Sequence, residues 1–177
     1  MLNTVIKGTS IGEGAPMFVI AEVACAHEGN FQALKQLIDI ALLSGADAVK
    51  FQVFNTAAHM TSSHKNFDLV KGLSLSPDQW MEAVAYVRSR SQKILVLADI
   101  YDEASIPVVE RMNVDMIKIH SADLSNHGLI RKTGKLNKPT MMGIGASTLE
   151  EINNAVAVFR ETNPQGFLML MHGFQAF

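Results

Sequence analysis

Four positions combine apolar surroundings with side chains able to bind or move charge. In the stretch Phe18–Asn30, FVIAEVACAHEGN, one acid, Glu22, stands at the far end of an apolar run. Further on, Lys50 with Gln52 in DAVKFQ, Asp99 in VLADI, and Lys118 with His120 in MIKIH do the same. Side chains alternate along a strand, so Lys50 shares a face with Gln52, and Lys118 with His120. An ammonium withdrawn from water must be matched by an anion, so two such lysines converging on one pocket point to a substrate bearing phosphate or carboxylate. The bland alternative is that each lysine reaches solvent or pairs with Glu22, Asp99 or Asp123. Gly143-Ile144-Gly145-Ala146-Ser147 joins a strand to a capped helix and can present backbone N–H groups to an anion, although it lacks the third glycine of a dinucleotide fingerprint. His172 closes a further apolar run.

These residues share a place in the pattern of elements. Short β-rich runs at Met17–Ala21, Ala48–Phe51, Ile94–Ala98, Met116–Ile119, Thr140–Ile144 and Phe167–Met171 alternate with helical periodicities, which implies six strands in parallel βα units. Ligands bind at the carboxyl ends of such strands, and the chemistry-bearing residues collect there. Asn30 is placed to cap a helix whose apolar stripe is Leu34, Leu37, Ile38, Ala41 and Leu42, with Gly45 as its stop. Ser76-Pro77-Asp78-Gln79 is a capping box with proline in the first turn, followed by Trp80, Ala83, Val84 and Val87 as the buried face. Ser147-Thr148-Leu149-Glu150 is a second box, and Asp102–Met112 a helix that Pro107 must enter in its first turns. The connection from Val53 to Leu75 is too long for a simple turn and is expected to carry structure or a lid. His59 and His64 within it read as solvated loop residues, Cys25 as a packing residue, and Met141, Met142, Met169 and Met171 as core.

The 177 residues suffice for one domain, with 48% hydrophobic and 18% charged residues. A net charge of −2 without a dense basic cluster argues against a nucleic-acid partner. No apolar stretch approaches the length that spans a bilayer and the first residues lack a signal-peptide core, so a cytoplasmic protein is expected.

Taken together, FVIAEVACAHEGN, SGADAVKFQVF, KIHSADLSN, KPTMMGIGASTLEEI and LMLMHGFQAF resemble the sialic acid synthases, the phosphoenolpyruvate-dependent N-acetylneuraminate synthase family that includes spore-coat polysaccharide synthases. The resemblance implies an α/β fold of the (β/α)8 TIM-barrel type. It also implies condensation of phosphoenolpyruvate with the open-chain aldehyde of an N-acylated amino sugar such as N-acetylmannosamine, giving a nine-carbon 2-keto sugar acid and phosphate. By the same resemblance Lys50 and Lys118 hold phosphoenolpyruvate, Ser121 lies beside its phosphate, and Glu22 and Asp123 are the catalytic carboxylates. Gln52, Asp99, His120, Gly143, His172, Gln175 and Phe177 join the substrate-binding set. A divalent metal, Mn2+ or Mg2+, and a homodimer are implied for the intact protein.

The sequence departs from the family pattern at several of these positions. Asp99 stands where members commonly have a threonine that contacts the phosphate, Gly143 where they have serine, Gln175 where they have asparagine, Phe177 where they have tyrosine, and His120 where they have a small residue. An aspartate facing a phosphate repels it. Residues 1–177 correspond to about six of the eight βα units, so the metal-binding histidines and the C-terminal antifreeze-like domain are expected beyond residue 177, and the chain alone is expected to be inactive. Two other readings compete: an aldolase forming a Schiff base on Lys50 or Lys118, and a non-catalytic partial barrel that binds a sugar phosphate.

Overall fold

The computed structural model describes residues 3–173. Its centre is a sheet of six parallel strands: β3 (Ile20–Ala24), β4 (Ala48–Val53), β5 (Leu95–Ile100), β6 (Met116–Ile119), β7 (Thr140–Gly143) and β8 (Leu168–Met171). They lie side by side in chain order, each paired with the next. Parallel neighbours need a crossover, and the helices provide it: α1 (Phe31–Leu43), α4 (Pro77–Arg90), α5 (Ile106–Met112), α6 (His127–Lys135) and α7 (Leu149–Thr162). A sheet wound in one direction has no point at which the strand order reverses, unlike a doubly wound sheet.

Alternation along the strands separates two faces. Val49, Phe51, Val53, Val96, Ala98, Ile100 and Ile117 join the first three crossover helices in one apolar cluster, and Ile119 and Met142 join α6 and α7 in another. On the opposite face, Ala48, Leu95, Leu97, Met116 and Met141 pack with Ile6 and Ile11. These last two come from an N-terminal hairpin, β1 (Thr4–Ile6) and β2 (Thr9–Ile11), turned by Lys7-Gly8 with φ of 46° and 84°. The hairpin plugs that face at the strands' starting end. The six-strand expectation did not include it, because each of its strands has three residues and too little alternation to register.

Most expected elements appear with shifted edges. The strand expected over Met17–Ala21 begins only at Ile20, because its partner starts at Ala48 and pairs with Ile20, leaving Met17 87% exposed. Asn30 accepts from the backbone N–H groups of Gln32 and Ala33, and the Ser76–Gln79 box is formed in full. The second box lies one residue later than expected, with Thr148 and Glu151 as its reciprocal pair. Ser147 N–H is instead committed to Ile144 O. The long connection carries two short helices, α2 (Thr56–His59) and α3 (Phe67–Leu73). Helix α6 is not evident from periodicity because two glycines dilute it. One of them, Gly134, lies close against α7, where a Cβ would crowd the Thr162 hydroxyl.

Candidate functional site

The inner face changes character along each strand. Beyond the apolar layer, strand pairing sets Glu22 beside Lys50, Gln52 beside Asp99, and Asp99 beside Lys118. A register shift between Glu22 and Ala24 interrupts the pairing, which resumes with Ala24 opposite Phe51, and Ala24, at φ 47°, turns its N–H back onto Glu22 Oε1 at 3.1 Å. The bulge thus fixes the carboxylate's direction. Its other oxygen, Oε2, lies 2.6 Å from Lys50 Nζ. Lys50 also stands 3.8 Å from Asp99 Oδ2, the oxygen to which Lys118 Nζ donates at 2.5 Å. The result is a row of alternating charge across four neighbouring strands: Glu22, Lys50, Asp99, Lys118.

Depth differs along the row. Asp99 is 1% exposed and each lysine 7%, whereas the Glu22 side chain retains 39% exposure at the mouth. The two lysines converge, and each is already met by a carboxylate, as the alternative of pairing with Glu22 or Asp99 allowed. Asp99 lies between the ammonium groups, its charge compensated on one oxygen only: among the described residues nothing donates to its buried Oδ1.

Around this row stand groups of weaker polarity. Cys25 Sγ donates to Gln52 Oε1 at 3.5 Å, and burial, followed by the charge of Glu22, pushes the thiol's pKa up. The cysteine is therefore held as a neutral thiol. Tyr101 was not singled out from the sequence, yet the alternation Leu97, Asp99, Tyr101 carries it onto the same face. Its hydroxyl stands 3.5 Å from Asp99 Oδ2, and burial and then the Asp99 charge drive its pKa far upward. Its ring meets His120 at 5.4 Å and His59 at 5.6 Å, and Phe54 meets His59 at 6.2 Å. His59 is exposed, as expected, but it belongs to this aromatic rim and not to a solvated loop. Burial, and next the charge of Lys118, lowers the His120 pKa, favouring neutral imidazole.

Ser121 begins a single 3-10 turn, Ser121–Asp123, immediately beyond β6. A Cβ on Gly143 would lie 2.9 Å from the Ser121 backbone nitrogen, so the glycine permits a close approach of β7 to that turn. A cleft of about 320 Å3 opens alongside, lined by Ser121, Leu124, Ser125, Gly145, Ser147 and Glu151. Asp123 is not drawn into the row of charges: its Oδ1 accepts from Asn126 Nδ2 at 3.3 Å. His172 follows β8 and is exposed, while Gln175 and Phe177 lie outside the described residues.

In the loop after β3, His27 is 1% exposed, edge-on to Trp80 at 6.0 Å, with Gly29 N–H donating to its Nδ1. This locks the loop after β3. Gly29, at φ 76°, is confined further by the Gly72 carbonyl, which a Cβ would meet at 2.0 Å. Among the described residues no three His, Cys, Asp or Glu side chains gather to hold a metal ion, and no helix is long and apolar enough to cross a membrane.

Comparison with known proteins agrees with this architecture. The NeuB family model matches residues 37–177. The spore coat polysaccharide biosynthesis protein SpsE of Bacillus subtilis is 27% identical over 94% of this chain and 47% of its own length. The N-acetylneuraminate-9-phosphate synthase of Drosophila melanogaster is 27% identical over 97% of this chain and 48% of its own. In structure, the N-acetylneuraminic acid synthetase of Leptospira borgpetersenii superposes with a TM-score of 0.91 at 23% identity, over 99% of this chain and 60% of that one. The chain thus spans about half the length of the curated relatives it matches. With the family model covering most of its residues, the chain belongs to the NeuB family.

Proposed function

We propose that the intact protein condenses phosphoenolpyruvate with the open-chain aldehyde of an N-acylated amino sugar, forming a nine-carbon 2-keto sugar acid. The observation that carries this reading is the convergence of Lys50 and Lys118, from strands separated by one, beside the more exposed carboxylate of Glu22. The name of the N-acetylneuraminate-9-phosphate synthase relative supports a sugar-acid product, and that of SpsE a place in polysaccharide biosynthesis. In this reading the six strands form the larger part of a (β/α)8 barrel, the intact protein is a homodimer, and the charged row faces its reaction chamber.

Lys50 and Lys118 retain N–H donors for the carboxylate and phosphate of phosphoenolpyruvate, with the Ser121 hydroxyl beside the phosphate. Binding both partners in one chamber holds the enol carbon against the aldehyde carbon, replacing a bimolecular encounter with an oriented one. The new C–C bond forms there, water adds at the carbon bearing the phosphate, and phosphate leaves. Glu22 is the residue placed to manage a proton, because it alone in the row is both ion-paired and open to the mouth. Asp123 acts, in this reading, on the sugar or the attacking water. A divalent cation, if bound, would polarise the aldehyde and would take its ligands from outside the described residues.

The aldolase alternative fares less well. An amine that attacks a carbonyl needs a free lone pair, and both lysines are ion-paired ammonium groups. Incubation of the complete gene product with phosphoenolpyruvate, N-acetylmannosamine and Mn2+ should release phosphate only when both substrates are present. Phosphate release that ignores the sugar, or a borohydride-trapped adduct of pyruvate on Lys50 or Lys118, would overturn the assignment.

A further inference from the structure

Asp99 is a liability for the binding of an anion. It lies between the two ammonium groups that would receive such a ligand, and its exposure of 1% denies it screening by water. The row Glu22, Lys50, Asp99, Lys118 sums to zero formal charge, so an arriving phosphate and carboxylate would leave this row, taken by itself, strongly negative. Like charges sharing a buried site cannot all persist, and the usual resolution is that one carboxylate takes a proton. The geometry singles out which one. Glu22 reaches water and receives the Ala24 N–H, while Asp99 has an oxygen, Oδ1, with no donor among the described residues.

We propose that Asp99 is the internal counter-ion of the anion subsite: it holds Lys50 and Lys118 in place before ligand arrives, then takes up one proton from solvent when the anion binds. The inference rests on the phosphoenolpyruvate reading above. The new O–H bond forms at Oδ1, turning a repelling carboxylate into a hydrogen-bond donor for the ligand while Oδ2 keeps its lysines. No other bond changes. Among the described residues, the other charged or titratable groups facing Asp99 are Glu22 and Cys25 from β3 and its loop, Lys50 from β4, Tyr101 just after β5, and Lys118 and His120 from β6 and the residue after it, with Asp123 beyond. Of these, His120 is the rival proton acceptor, since it is neutral imidazole beside the same lysines.

Calorimetric titration of the intact protein with phosphoenolpyruvate, in buffers of different ionisation heat, counts the protons exchanged. About one proton should be taken up, and phosphoenolpyruvate affinity should fall by roughly tenfold for each unit rise in pH across the neutral range. Asp99→Asn should bind more tightly at the upper end of that range, with no uptake and little pH dependence; Asp99→Thr serves equally if the asparagine variant does not fold. His120→Gln should retain the uptake. The phosphorus NMR shift of the bound ligand should stay that of the dianion, which places the proton on the protein. Binding without uptake, uptake that survives in Asp99→Asn or vanishes in His120→Gln, or a protonated bound phosphate would each overturn the proposal while leaving phosphoenolpyruvate as the ligand. Absence of binding to the wild type and to both Asp99 variants would instead remove the phosphoenolpyruvate reading, and the proposal with it.

Discussion

Leu97 and Asp99 sit two residues apart on β5 and face the same way, and both are almost wholly buried. Below, Leu97 joins Ala48, Leu95, Met116 and Met141 in a layer sealed by the N-terminal hairpin. Above, Asp99 joins Glu22, Lys50 and Lys118. The same strands and the same register thus present one layer that stabilises by removing apolar area from water and one whose attraction is largely offset by the desolvation of its ions. The lower layer needs only the right volume. The upper one holds together only while each charge keeps its partner, and so contributes little net stability for the order it imposes.

That contrast is open to direct attack. The largest effect should come from Lys118→Ala, which leaves Asp99 with Lys50 at 3.8 Å as its counter-charge and the Tyr101 hydroxyl at 3.5 Å, and should cost about 3–5 kcal/mol in chemical denaturation. Leu97→Ala, in the lower layer, should cost about 2–5 kcal/mol by transfer and cavity terms. The two are similar in size but differ in cause, and a double replacement separates them. Asp99→Leu combined with Lys118→Met should be neutral or stabilising by about 1–4 kcal/mol while abolishing phosphate release. A loss as large as that of Lys118→Ala would show that the upper layer stabilises in its own right.

The smallest effect concerns pH and lies on the helix side of the sheet. Burial against Trp80 lowers the pKa of His27, so the unfolded chain binds the proton more readily than the folded one. Stability from this site is therefore fully present above the ordinary imidazole pKa of about 6.5 and is lost as pH falls below it toward the folded-state value. Thermal melts across that range should show a slope that His27→Phe reduces. An unchanged slope would move the acid sensitivity elsewhere, to the charged row.

The parallel α/β plan was legible because β-rich runs and helical stripes alternate with little interruption, and because Asn30 and Ser76 announce helices that form as expected. The face shared by Lys50 and Gln52, and by Lys118 and His120, was legible from alternation alone. What sequence spacing does not carry is the partner across the sheet. That Asp99 lies between two lysines depends on the register of β4, β5 and β6, which set Lys50, Asp99 and Lys118 within reach. For the same reason nothing local marks Tyr101, which lies just past the end of β5 and reaches the aromatic rim and Asp99 only in the folded sheet. Asp123 was drawn by the resemblance toward the reaction centre, whereas its nearby hydrogen bond is with Asn126.

The close approach at Gly143 bears on how such a site can change by mutation. Because a Cβ there would press on the backbone nitrogen of Ser121, and not on a flexible side-chain tip, any larger residue requires the turn at Ser121 to shift first. A hydroxyl on β7 therefore comes only with a small movement of the Ser121 turn, so the side chain at position 143 and the backbone beside the proposed phosphate site change together.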